Sequence, residues 1–287
     1  MQLHFSPLPL NEVTLCRFVA SLHADSLSYQ TIRCYLSALR HLQIMQGLPD
    51  PSITSFPRLE YVLKGLRREG PLRSRGQRLP ITPEILRKIY GRWSQEPRTF
   101  DTTMLWAAYC LGFFAFMRSG EFTCPSLQAF MPHTLSPTDI RVDSHTAPTH
   151  MTVFLRQSTT DQFGAGLLLH LGTTGDSLCP VISMLSYLAI RPPSPGPLFL
   201  FSDGSTLSRS RLVQSLRQVL PVVGVEATHY NGHSFRIGAA MTAARAGLSD
   251  SLIQTLGRWK SSSFMTYIQT PRRHLATVSA TLASQLE

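Results

Sequence analysis

The strongest constraint on this chain is one unbroken apolar run, from Met104 to Met117. A membrane helix needs roughly 20 such residues, and these 14 fall short. The run therefore predicts a helix buried on all sides inside a protein core. Such a helix needs a thick shell around it. With 287 residues, 43% of them apolar, the chain can build one large domain or two ordinary ones. Only 15% are charged, which excludes the low-hydrophobicity, high-charge pattern of disorder.

Upstream, apolar side chains recur at the helical period. Asn11 is placed to cap a helix with Val13, Leu15, Phe18, Val19 and Leu22 on one face. Ser28 is placed to cap a second, with Ile32, Tyr35, Leu36, Leu39 and Leu42, ended by Gly47. A third runs from about Arg58 to Glu69, with Leu59, Val62, Leu63 and Leu66 inward. Thr82-Pro83-Glu84 then opens a new unit: an N-cap, a proline at the first helical position and an acid in the first turn. Helices are predicted over about 83–95 and 101–117. Short strands follow over Ile140–Val142, Met151–Leu155 and Leu167–Leu171. Helical patterns return over 178–190, Ser208–Val219, Ser234–Ala246 and Asp250–Leu256, with an amphipathic tail from Arg272 to Glu287. The fold class is mainly α with a small antiparallel sheet, divided at about 1–78 and 79–287.

The net charge of +10 calls for an anionic partner, nucleic acid first and an acidic membrane surface second. All but three of the 27 basic residues are Arg, the exceptions being Lys64, Lys88 and Lys260. Arg recognises phosphate through a planar fork, Lys as a point charge. Seven basic residues lie between Arg58 and Arg78, ending in the linker-like stretch Gly70 to Gly76. That stretch reads equally as a solvated face or as a hinge that follows a phosphate backbone. The five Cys are scattered, without a C-x-x-C pair, and read as reduced core thiols of an intracellular protein. The N-terminus lacks the basic-then-apolar pattern of a signal peptide.

Two features mislead. Gly175-Asp176-Ser177-Leu178 matches a short lipase motif, but its setting reads as a helix N-cap. The ten His are dispersed without metal-ligand spacing, so no metal site is expected. The informative region is the last third: His233-Ser234-Phe235-Arg236, then Leu256-Gly257-Arg258-Trp259, then Tyr267. Residues i and i+3 share a helix face, so His233 and Arg236 can reach one target. Taken singly, that pair reads as a capped helix start with a surface Arg, and Trp259 and Tyr267 read as core.

Together these residues resemble the C-terminal signature of the tyrosine recombinase (integrase) family. Phe116-Met117-Arg118-Ser119-Gly120-Glu121 resembles that family's first catalytic arginine, with an acid three residues on. Tyr35-Leu36-Ser37-Ala38-Leu39-Arg40 and Val62-Leu63-Lys64-Gly65-Leu66-Arg67-Arg68 resemble its helical core-binding domain. Trp259, with Tyr267 eight residues later, looks most like recombinases of DIRS- and Crypton-type eukaryotic mobile elements.

The resemblance implies an N-terminal SAM-like core-binding domain and a C-terminal catalytic fold that clamp double-stranded DNA, with protomers assembling as a tetramer on paired sites. It implies DNA breakage and rejoining for recombination or integration, in the nucleus if the source is eukaryotic. No cofactor, membrane or small-molecule substrate is implied. Arg118 and Arg236 would clamp the phosphate oxygens, Tyr267 would attack phosphorus, and His233 would serve as base. Trp259 would donate its indole N–H, and Glu121 would orient Arg118 or His233. One member is missing. The family carries a Lys on a β-hairpin that protonates the leaving 5′-oxygen; here Ser158-Thr159-Thr160-Asp161 puts Thr159 in that slot, and no Lys lies between Lys88 and Lys260. Arg156 is close in sequence but holds its proton too tightly. The alternative reading is a catalytically impaired DNA-binding protein that keeps the fold. A type IB topoisomerase, which shares the chemistry, is a third.

Overall fold

A computed structural model describes residues 8–51, 55–69, 78–131, 133–157 and 165–266. The linker stretch 70–76, Thr159, Tyr267 and the tail 272–287 lie outside the described residues. The chain separates into two compact units, Met1–Gly76 and Gln77–Glu287.

The first unit packs three helices, α1 (Glu12–Ala24), α2 (Tyr29–Met45) and α3 (Pro57–Glu69). Asn11 caps α1, accepting from the Thr14 N–H at 2.9 Å, and Ser28 caps α2, accepting from Thr31 at 3.2 Å. Leu15, Val19, Ile32, Leu36, Leu59, Leu63 and Leu66 form the core. The buried stripe is narrower than the apolar pattern suggested: Val13, Tyr35 and Leu42 are exposed. Three short helices offer each partner one seam, so apolar residues flanking that seam stay in water. Cys34 is exposed too, contrary to a core thiol.

The second unit is built around α5 (Phe100–Phe114), in which every residue from Thr103 to Phe113 is buried. It packs against α7 (Pro180–Ile190) and α9 (Ser234–Arg245), with α4 (Pro83–Trp93), the short α6 (Ser119–Phe122), α8 (Arg209–Val222) and α10 (Asp250–Gly257) completing the helices. Thr82 caps α4 as expected. Burial pushes the Cys110 thiol of α5 up to about 12, which makes it inert at neutral pH. Strands β1 (Ile140–Val142), β2 (His150–Leu155) and β3 (Leu167–Gly172) form one antiparallel sheet in that order, with Ile140 opposite Val153 and Met151 opposite Leu171. Met151, Val153 and Leu155 alternate inward, the period-2 pattern of a half-buried strand. Asp176 shapes the turn before α7 by accepting from the Leu178 N–H, but the N-cap is Cys179 rather than the lipase-like run.

Helix α5 stops at Phe114, three residues before the apolar run ends. Phe116 takes a positive φ of 50°, which turns the chain out of the helix. The carbonyls of Ala115 and Phe116 accept from arginine side chains. Long-range partners thus end this helix where local propensity would extend it. No helix among the described residues is long and apolar enough to cross a membrane.

Candidate phosphate-binding site

The turn after α5 delivers Arg118 as the N-cap of α6, where its N–H donates to the Glu121 carboxylate at 2.8 Å. The other Glu121 oxygen accepts from Arg118 Nη1 at 3.0 Å. Three residues of sequence therefore fix both the helix start and the guanidinium.

Arg236, one turn into α9, is only 3% exposed. Its Nη1 donates to the Phe116 carbonyl at 2.7 Å and its Nη2 to the Gly257 carbonyl. The guanidinium stacks on the Trp259 ring, 4.2 Å from the centroid. Two carbonyl dipoles and an aromatic face offset the cost of burying this charge. Trp259 reaches it by folding back over Gly257, where a Cβ would overlap the indole. Phe116 and Phe264 pack on that ring at 6.4 and 5.7 Å. Phe264 belongs to a short 3-10 segment, Ser262–Thr266, which Tyr267 directly follows.

His233 caps the start of α9, with its N–H bonded to Asn231. The residue as a whole stays exposed, but its ring is packed closely enough that desolvation, first, holds its pKa below the usual histidine value. The positive field of Arg78, Arg236, Arg118 and Arg209 then acts the same way. The neutral, proton-accepting form is the resting one.

Two residues at this site carry no role in the sequence reading. Arg258, left-handed at φ 56° and with its side chain 6% exposed, donates to Glu121 at 2.6 Å and to the Ala115 carbonyl at 3.0 Å. It ties the end of α10 to the turn that carries Arg118. Arg209, the first residue of α8, lies over Gly120. Nothing in local spacing distinguishes either from the chain's other arginines.

A cavity of about 890 Å³ is lined by Arg118, Gly120, Glu121, His133, Gln157 and Arg209 among others. Glu121 is its only carboxylate among the described residues, and it is already engaged by Arg118 and Arg258. The surface is therefore net positive and suits a phosphate or similar oxyanion. Gln157 lies two residues beyond the end of β2 and, in the sequence, two before Thr159. Arg156 is held by the buried Asp139 at 2.7 Å. No group of His, Cys, Asp or Glu able to hold a metal occurs among the described residues. The structure thus gathers Arg118, Glu121, His233, Arg236 and Trp259; Thr159 and Tyr267 lie outside the described residues.

No protein-family model and no curated protein matches the chain. Solved structures do. A Tn1549 transposon integrase in complex with circular intermediate DNA is 12% identical, with a TM-score of 0.57 over 97% of this chain and 86% of that one. XerH site-specific recombinase in a post-cleavage complex with a palindromic difH substrate is 14% identical, with a TM-score of 0.58 over 94% and 70%. XerA recombinase is 14% identical, with a TM-score of 0.51 over 93% and 96%. At such identities the likeness is one of fold, and the fold is that of the tyrosine recombinases.

Proposed function

We propose that this chain is a tyrosine recombinase that breaks and rejoins duplex DNA through a 3′-phosphotyrosyl intermediate on Tyr267. The observation that carries the reading is the Phe116 carbonyl. Arg236, 120 residues further along, donates to it at 2.7 Å and so stands beside the turn bearing Arg118. Two arginines distant in sequence, a histidine with a depressed pKa and a tryptophan stacked on Arg236 lie around the turn that bears Arg118, which supports this reading. The resemblance of solved recombinases and integrases, two of them described with DNA, supports the same reading.

In the proposed reaction His233 takes the phenol proton as Tyr267 Oη attacks phosphorus. The P–O5′ bond breaks, leaving the 3′-phosphate on the tyrosine and an O5′ that takes its proton from water to become the 5′-hydroxyl. Arg118 and Arg236 stabilise charge on the non-bridging oxygens. The ester's energy is conserved in the phosphotyrosyl link, so rejoining needs no nucleotide or metal. The first unit, by resemblance, contributes a second DNA-binding surface. The Trp259–Tyr267 spacing fits a DIRS- or Crypton-type mobile element acting in a eukaryotic nucleus, with protomers paired on DNA as a tetramer.

A second reading, an impaired DNA-binding protein, is favoured by one observation. No Lys lies between Lys88 and Lys260 to protonate the leaving oxygen, and Arg156 is committed to Asp139. A library of nicked duplexes with randomised sequence separates the two on a denaturing gel. The first reading expects a covalent protein–DNA adduct that disappears in Tyr267→Phe while binding persists. Binding without any adduct establishes the second reading, and absence of binding refutes both.

A further inference from the structure

Helix α8 carries three arginines, Arg209, Arg211 and Arg217, and two are already engaged. Arg211 stacks on Phe201 at 3.4 Å and bonds Ser205 beside Asp203. Arg217 donates to the carbonyls of Tyr230 and Thr228. Among the described residues, no acceptor or carboxylate engages the guanidinium of Arg209. Arg209 is exposed, so its guanidinium is open to a ligand. It lies on the backbone of Gly120, so close that a Cβ there would occupy its place. Gly120 is two residues from Arg118 and one from Glu121, and Arg209, Gly120, Arg118 and Gln157 line the same cavity. Two guanidiniums lining one cavity repel each other, and an anion bound between them would relieve that repulsion.

We infer that Arg209 is a third phosphate-binding guanidinium of this site, meeting the same scissile phosphodiester as Arg118 across Gly120. The inference rests on the recombinase reading. It places an added positive charge in the cavity that Gln157 also lines. Arg209 would not donate a proton to the leaving oxygen, since a guanidinium holds its protons too tightly. It would stabilise charge on a non-bridging oxygen, which partly offsets the loss of the lysine's charge but not of its proton.

The test uses the full chain and the cleavage sequence recovered from the randomised library, synthesised with either a normal phosphate or a methylphosphonate at the scissile position. A methylphosphonate lacks one charged oxygen, so a cation that serves that oxygen matters less. Arg209→Ala should slow adduct formation about 10²- to 10³-fold on the phosphate. On the methylphosphonate its deficit should shrink to less than about tenfold, with Arg209→Lys intermediate on the phosphate. Wild-type rates for Arg209→Ala on the phosphate, or equal deficits on both substrates, overturn the inference; the latter would assign Arg209 a structural role. If wild-type protein forms no adduct, the cleavage reading fails, and binding decides the inference separately. With random-sequence duplex, Arg209→Ala should lower the slope of log affinity against log salt by about 0.9. An unchanged slope overturns it.

Discussion

Replacing Arg258 with Met would remove the guanidinium that joins the end of α10 to the turn bearing Arg118, while filling most of the same volume. Arg258 Nη2 and Glu121 Oε2 are 2.6 Å apart, and the two side chains are 6% and 5% exposed. Removing one partner of a buried ion pair costs about 3–5 kcal/mol, because the remaining charge stays desolvated. Here Glu121 keeps Arg118 at 3.0 Å, and the Phe116 carbonyl keeps Arg236 at 2.7 Å, so the cost falls near the lower end, about 3 kcal/mol. For a unit of this size that corresponds to a Tm lowered by about 6–12 °C. Urea unfolding followed by tryptophan fluorescence isolates the relevant unit, because Trp93, Trp106 and Trp259 all belong to Gln77–Glu287. The midpoint should drop with the m-value unchanged. Adding Glu121→Gln to Arg258→Met removes the stranded charge, so the double variant should lose at least about 1 kcal/mol less than the sum of the singles. A loss below about 1 kcal/mol for Arg258→Met, or strict additivity, would refute the account of Arg258 and Glu121 as a coupled pair.

His233 has a folded-state pKa below the histidine value of about 6.5, so its neutral form persists down through that pH. Cleavage should hold constant from neutral pH to below 6.5 and fall only as pH drops through the lower folded-state pKa. The stability associated with the depressed pKa is present above 6.5 and lost over the same acid window; NMR titration of the ring protons checks both signs. Duplex binding should be strongly salt-sensitive: with six to ten phosphates contacted, affinity should fall about 10³- to 10⁵-fold between 50 and 200 mM salt, and a flat profile in a filter-binding assay would contradict it. Thr159→Lys should raise the adduct rate toward the roughly 10²- to 10⁴-fold of a positioned acid. That gain should vanish on a substrate with a 5′-bridging sulfur, whose leaving group needs no proton. Equal wild-type rates on the two substrates would show that another group supplies the proton.

The local features of this fold are legible residue by residue. Asn11, Ser28 and Thr82 each cap the helix they precede, since the side-chain acceptor lies within three residues of its N–H. The inward alternation of Met151, Val153 and Leu155 and the burial of α5 from Thr103 to Phe113 follow from apolar pattern alone. The phosphate chemistry of the signature residues came from their resemblance to a family, since singly His233, Arg236 and Trp259 read as ordinary structural residues.

The roles of individual arginines were not legible. Arg258 meets Glu121 across 137 residues of chain, and Arg236 meets Phe116 across 120. No spacing rule reaches that far, and in a sequence this rich in Arg the buried, the paired and the unengaged look alike. The same long-range bonds set the end of α5 at Phe114, where the apolar run alone would carry it to Met117. What the sequence determined by itself was which segments are helices and strands, and which residue types gather toward the C-terminal end, because these depend on neighbours a turn or a pleat away. Which arginines are buried against carbonyls and rings, and which one is left beside Arg118 to meet an anion, only the tertiary structure decided. Burial and partnership are properties of segments that meet only after the chain has folded.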